Sequence, residues 1–155
     1  MGFEIERKFL IRNNSWQQAI HEPGKNYCQG YLLREGGRTV RIRTAGTQGF
    51  ITIKGKSNGL GKPEFEYEIP IEDAEALLQL CSPSLIFKTR YLVKHFNHLW
   101  EIDVFEGDNA GLIVAEIELE HEAEEFQLPD WAGEEVTADG RYSNARLSQF
   151  PFCNW

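Results

Sequence analysis

The chain has 155 residues, 41% of them hydrophobic, which suits one compact domain over residues 1–155 with its own core. Its 16 Lys and Arg stand against 24 Asp and Glu, a formal charge of −8 that argues against non-specific binding to nucleic acid or to an anionic membrane surface. Cys28, Cys81 and Cys153 are too few and too scattered for a disulfide framework or a thiolate zinc site, and neither a membrane span nor a signal-peptide core is visible, so a soluble protein of the reducing cytoplasm is expected.

Residues 3–10 alternate with the two-residue period of a strand, placing Glu4, Glu6 and Lys8 on one face and Phe3, Ile5 and Phe9 on the other, with Arg7 the exception. A short helix is expected at 15–20, ended by Pro23-Gly24. Strands then accumulate. Residues 28–35 and 38–44 flank a Gly36-Gly37 hairpin turn, and the second sets Arg41 and Arg43 against Val40 and Ile42. After an Ala45-Gly46 turn, 49–56 sets Lys54 and Lys56 against Ile51 and Ile53, and a loop at 57–61 closes it. Residues 64–71 are acidic on one face, with Glu64, Glu66 and Glu68.

A helix at 73–81 carries the stripe Ala74, Leu77, Leu78 and Cys81, with Pro83 as its stop. Residues 87–96 carry Lys88 and Arg90, an Asn97-His98 turn leads into 99–105 with Glu101 and Asp103, and 112–120 carries Glu116, Glu118 and Glu120. That makes eight expected strands. The tail suggests one helical turn at 123–126, a break at Pro129-Asp130-Trp131 and a short helix at 143–150.

A water-facing sheet intermixes its charges, because like charges across a strand pair repel. Here they segregate by strand, basic on some and acidic on others. Closing such a sheet into an eight-stranded antiparallel barrel, with the apolar set outside beneath the helices, would leave the charged set lining a lumen. Buried ions need counter-charge. Divalent cations would neutralise the carboxylates and a phosphate chain the Lys and Arg; hard carboxylate oxygens suit Mg²⁺ or Mn²⁺, and guanidinium and ammonium groups suit phosphoryl oxygens.

The motifs Glu4-x-Glu6-x-Lys8, Arg41-x-Arg43, Lys54, Glu66-x-Glu68, Lys88-x-Arg90, Glu101-x-Asp103 and Glu116-x-Glu118, in that order, resemble the CYTH domain, or triphosphate tunnel metalloenzyme, superfamily over essentially the whole chain. The tail Gly133-Glu134-Glu135-Val136-Thr137 with Arg141-Tyr142-Ser143-Asn144 is similar to that of short bacterial members that hydrolyse inorganic tripolyphosphate. The resemblance implies a mainly β fold, an eight-stranded antiparallel closed barrel with a few short peripheral helices. It also implies a small-molecule triphosphate or polyphosphate substrate, held with Mg²⁺ or Mn²⁺ by a monomer or homodimer. Glu4, Glu6, Glu116 and Glu118, and further Glu66, Glu68, Glu101 and Asp103, are the implied metal ligands; Lys8, Arg41, Arg43, Lys54, Lys88 and Arg90 are the implied phosphate clamp. Tyr31 matches a tyrosine that some members pair with a lysine near the attacking water.

A lysine crowded by other cations has a lowered pKa, so Lys8 or Lys54, with Tyr31, is expected to orient or deprotonate that water. The alternatives are an organic triphosphate enzyme, either a thiamine triphosphatase or a class IV adenylate cyclase, and a non-catalytic polyphosphate-binding module. Gly55-Lys56-Ser57 lacks the glycine a P-loop needs at Phe50, the histidines have no metal-ligand spacing, and Trp16, Trp100, Trp131 and Trp155 read as core or rim aromatics. Glu122, Glu124 and Glu125 read as a solvated face.

Overall fold

The computed structural model describes residues 2–59, 61–81 and 84–155. Strands β1 (Gly2–Glu4), β2 (Glu6–Ile11), β3 (Lys25–Glu35), β4 (Arg38–Ala45), β5 (Gln48–Lys54), β6 (Lys62–Ile69), β7 (Ile86–His95), β8 (His98–Phe105), β9 (Ile113–Glu118) and β10 (Ala132–Glu135) form one sheet. Their order is β1-β6-β5-β4-β3-β7-β8-β9-β2-β10, and every neighbouring pair is antiparallel.

The expected eight-stranded closed barrel is corrected on two counts. The first strand breaks at Ile5, so β1 pairs with β6 (Phe3 opposite Pro63) while β2 pairs with β9 (Lys8 opposite Glu116). The two ends of the curved sheet are therefore joined covalently through Ile5, and the ladder ends at β1 and β10 instead of closing. The second count is β10, which adds an outer strand on β2 with an irregular register between Ala132 and Glu135. Its Ala-Gly-Glu-Glu sequence carries no hydrophobic alternation.

Helix α1 (Ile71–Cys81) begins two residues before the expected start, and α2 (Asn144–Gln149) is capped by Ser143, whose Oγ accepts from the Arg146 backbone N–H at 3.2 Å. The early helix is a 3-10 helix at Asn14–Ala19 capped by Asn13. No helix forms at 123–126; a turn centred on Glu122 and Ala123 stands there. Two hairpin turns sit one residue from their expected places, at Gly46-Thr47 and Phe96-Asn97. Leu60 of the 57–61 loop and the Pro83 stop lie outside the described residues. No helix among the described residues is long and apolar enough to cross a membrane.

Three apolar clusters shape the sheet. On one outer face, α1 lays Ala74, Leu78 and Cys81 on Ile42. This contact needs Gly30 on β3, where a Cβ would stand 2.5 Å from the Cys81 Cβ and 2.9 Å from Leu85. On the other outer face, Phe9, Val93, Trp100, Ile102 and Ile117 pack with Trp16 and Trp131. The third cluster lies inside. Ile86, Phe105 and Val114 share strand parity with Lys88, Asp103 and Glu116, and they pack with Leu112, Val136, Tyr142 and Leu147. One end of the interior is thus apolar and filled, and the expectation of a charged set along the whole lumen holds only for the other end.

Candidate active site

At that other end the inward positions of the strands meet around a cavity of about 300 Å³. Of the residues singled out in the sequence, Glu4, Glu6, Lys8, Tyr31, Arg41, Arg43, Lys54, Glu66, Arg90, Glu101, Glu116 and Glu118 line it. Lys88 and Asp103 are buried beneath its floor, each 1% exposed. Glu68 is not brought in: it is exposed at the far end of the β5–β6 ladder, where Gln48 Nε2 donates to it at 3.4 Å.

Register explains the convergence. Lys8 faces Glu116, Lys54 faces Glu64, Glu101 faces Glu116 and Arg90 faces Asp103. Around the wall the basic strands β5, β4 and β7 gather on one side and the acidic β8 and β9 on the other, while Lys8 and Lys54 sit beside carboxylates at the boundaries. Lys54 Nζ donates to Glu4 at 2.6 Å and lies 3.7 Å from Glu64; Lys8 Nζ stands 3.6 Å from Glu6 and 3.7 Å from Glu116. Arg41 Nη2 reaches Thr52 Oγ1 at 3.1 Å and Glu66 at 3.4 Å. Glu4 is anchored from behind by the loop glycine Gly61, whose φ of 106° and approach to the Glu4 carbonyl (2.5 Å from a built Cβ) exclude other residues.

Beneath the cavity, Asp103 accepts from Arg90 Nε at 2.7 Å, Arg90 Nη2 at 2.9 Å and Lys88 Nζ at 2.7 Å. Arg90 extends its remaining arm to Glu101 at 3.0 Å. Burial alone would raise the Asp103 carboxyl, but Arg90 and Lys88 hold it well below the usual carboxylate range. Asp103 is thus held by both cations beneath the cavity floor and does not line the cavity.

The surroundings of Lys8 differ from the expected crowding by cations. Burial would lower the Lys8 ammonium, but Glu116, Glu6 and Glu4 outweigh it and raise the pKa. Lys8 is crowded by carboxylates, not by cations. The lysine crowded by cations is Lys88: burial lowers it, Asp103 opposes this, and Arg90 and Arg43 add to the lowering. Burial, with Arg41 and Arg90 nearby, brings Arg43 down to about 9, which leaves it charged at neutral pH.

Several carboxyls move upward. Burial and the neighbouring Glu4 push Glu64 up to about 7. Burial raises Glu101 and Glu116 against their cationic neighbours, and Glu118 rises through burial and repulsion from Glu4, Glu101 and Glu6. Among the described residues Glu118 has no hydrogen bond or ion pair, and no three His, Cys, Asp or Glu side chains already converge as a metal cluster. Crowded hard oxygens left without a proton donor suit a divalent cation.

Sequence reasoning missed Tyr27, Gln29, Thr39, Lys62, Glu64, Ser143 and Asn144. Tyr27 lies under the guanidinium groups of Arg43 and Arg90, each 4.8 Å from its ring centre. Glu64 was visible as the first member of the acidic run that holds Glu66. Gln29 is fully buried behind the cavity; among these, Tyr27, Thr39, Lys62, Glu64, Ser143 and Asn144 line it. Trp16, Trp100 and Trp131 are core as expected, and Trp155 lies at the rim. Glu124 is not simply solvated: it pairs with His98 Nε2 at 2.5 Å and accepts from the Glu120 backbone N–H at 2.6 Å.

Fold and site together define a β-tunnel protein whose inner wall sets a group of fixed cations opposite a group of carboxylates. The chain belongs to the CYTH domain family, whose model matches residues 2–150. It is 41% identical over 156 residues to an inorganic triphosphatase of Acetivibrio thermocellus, covering 100% of this chain and 99% of that protein. It is 37% identical over 149 residues to an inorganic triphosphatase of Nitrosomonas europaea, covering 94% of this chain and 96% of that one. A crystal structure of an inorganic triphosphatase superposes with a TM-score of 0.68 at 35% identity, over 96% of this chain and 95% of that one.

Proposed function

We propose that this chain, one domain over residues 1–155, hydrolyses inorganic tripolyphosphate to pyrophosphate and phosphate with Mg²⁺ or Mn²⁺. The observation that carries the reading is the cavity wall itself: Lys8, Arg41, Arg43, Lys54 and Arg90 face Glu6, Glu101, Glu116 and Glu118 across about 300 Å³. The full-length likeness to two inorganic triphosphatases supports the same substrate.

Arg41 and Arg43 bind phosphoryl oxygens through their guanidinium groups, Arg90, held by Asp103 and Glu101, adds fixed positive charge beside them, and Lys8 and Lys54 neutralise the ends of the chain. Lys54, fixed by Glu4, and the Tyr31 hydroxyl orient a water in line with the terminal phosphorus. The water oxygen bonds to that phosphorus, the bridging P–O bond breaks with its electron pair on the departing pyrophosphate, the water's surplus proton passes to solvent, and pyrophosphate leaves into the guanidinium cluster, which absorbs its charge. Glu6, Glu116 and Glu118, with Glu101, would hold the divalent cation. When bound, it supplies charge neutralisation and polarisation of the phosphoryl oxygens. Lys8, between Glu6 and Glu116, binds and orients the substrate. The three cysteines, Cys28, Cys81 and Cys153, are unpaired, which supports a cytoplasmic site of action.

The test is phosphate release from tripolyphosphate, ATP and thiamine triphosphate with Mg²⁺ or Mn²⁺, a chelator control and a cyclic AMP assay. Turnover on tripolyphosphate that stops with chelator is the expected result. Turnover confined to an organic triphosphate, cyclic AMP formation, or tight binding without turnover would each replace the reading.

A further inference from the structure

Asn144 stands at the edge of the cavity, on the tail segment that follows the β10 strand, and its side-chain oxygen is claimed twice from behind. Lys88 Nζ donates to Asn144 Oδ1 at 3.1 Å and Gln29 Nε2 donates to it at 3.3 Å. The other end of Gln29 accepts from Arg43 Nε at 2.9 Å. Lysine and arginine carry donors only, so both ends of this chain of bonds have fixed polarity. The atom of Asn144 that meets Lys88 must be its oxygen, and the atom of Gln29 that meets Arg43 must be its oxygen too. Neither carboxamide can be turned over without setting donor against donor.

The consequence falls on the remaining atom. Among the described residues the amide nitrogen of Asn144 has no hydrogen-bond partner, and it does not belong to the buried nitrogens that lack one. Asn144 lines the cavity, and its oxygen is turned to Lys88 and Gln29. Two N–H donors whose orientation is fixed by the bonds behind them are thereby available beside Arg43, which lines the same cavity and whose Nε is held by Gln29. We propose that Asn144 is a substrate-binding residue, its side-chain NH₂ donating to a phosphoryl oxygen of the bound triphosphate while its oxygen holds Lys88 and, through Gln29, Arg43. This rests on the triphosphatase reading and adds to it a neutral donor that discriminates oxygen acceptors by direction, where the surrounding cations discriminate only by charge.

The test combines kinetics of wild type, N144A and N144D on tripolyphosphate with the side-chain amide ¹⁵N–¹H signal of Asn144, assigned by its absence in N144D. The signal is followed while bis-imidotriphosphate, whose P–N–P links resist hydrolysis, is added to the wild type with Mg²⁺. The expected results are a KM raised about tenfold or more in both variants with a smaller change in kcat, and a ¹⁵N–¹H signal that moves with occupancy. A strut with no substrate contact would leave the signal in place at saturation, as judged by the ³¹P spectrum of the analogue. That outcome, or an N144A whose KM stays within about twofold of wild type, overturns the proposal. If N144A does not fold, N144D and the wild-type signal still decide. Absence of any phosphate release by the wild type would instead overturn the triphosphatase reading.

Discussion

Asp103 sits between two cations that could not otherwise be buried together. Lys88 Nζ and the Arg90 guanidinium both lie within 2.9 Å of its carboxylate, and the side chains of Lys88 and Asp103 are almost wholly enclosed. Asp103→Asn keeps the shape and removes the charge, leaving both cations uncompensated, and the expected loss is about 3–5 kcal/mol in chemical denaturation. The pH dependence follows from the depressed carboxyl. A group whose folded pKa lies below its unfolded value contributes its full stability above the unfolded value, near 3.8 for Asp, and loses it as the pH falls toward the folded value. Acidification below about pH 4 should therefore erode the wild type more steeply than Asp103→Asn, as read from thermal midpoints across that range. A wild type and variant with parallel acid limbs would remove Asp103 from this role. Lys8 shows the complementary lesson: its own strand gave two carboxylate neighbours in plain view, Glu4 and Glu6, and pairing with β9 adds a third, Glu116.

At the level of elements, the ionic strands were legible because charge alternated with apolar side chains at a period of two. Seven of the eight expected strands stand within a few residues of their places and the first is split at Ile5, and eleven of the cavity's wall residues were named from that pattern. What was hidden lacked periodicity or depended on contacts remote in sequence. The break at Ile5 follows from the two halves of one strand finding different partners, and β10 is visible only as a rider on β2. Tyr27 and Gln29 precede Tyr31 on the same inward face, but nothing in their local sequence separates a site residue from a packed one. Nor did alternation reveal that the inward row turns apolar at Ile86, Phe105 and Val114. The α1 contact gives an element-scale prediction. Gly30→Ala places a methyl 2.5 Å from the Cys81 Cβ, so α1 must shift, at a cost of about 1–3 kcal/mol. Urea denaturation with an unchanged slope would report it, and a midpoint equal to wild type would show that the helix yields freely.

For the molecule as a whole, the short β1 strand is a clasp. It covers the edge of β6 through Gly2, Phe3 and Glu4, and it delivers Glu4 to Lys54. Deleting residues 1–4 should leave β2 paired with β9 while exposing the β6 edge. The expected outcome is faster amide exchange along Lys62–Ile69, concentration-dependent self-association and loss of phosphate release. Undiminished protection in β6 would mean that another segment guards that edge.

The same clasp orders events on the ribosome. β1 and β2 leave the exit channel before their partners, and β1 waits for Lys62–Ile69 and β2 for Ile113–Glu118, so segments made early are seated late. Until then every inward charge of the nascent sheet stays hydrated. The ions lose their water only as the strands come together, when Lys8, Lys54, Lys88 and Arg90 meet carboxylates across the wall.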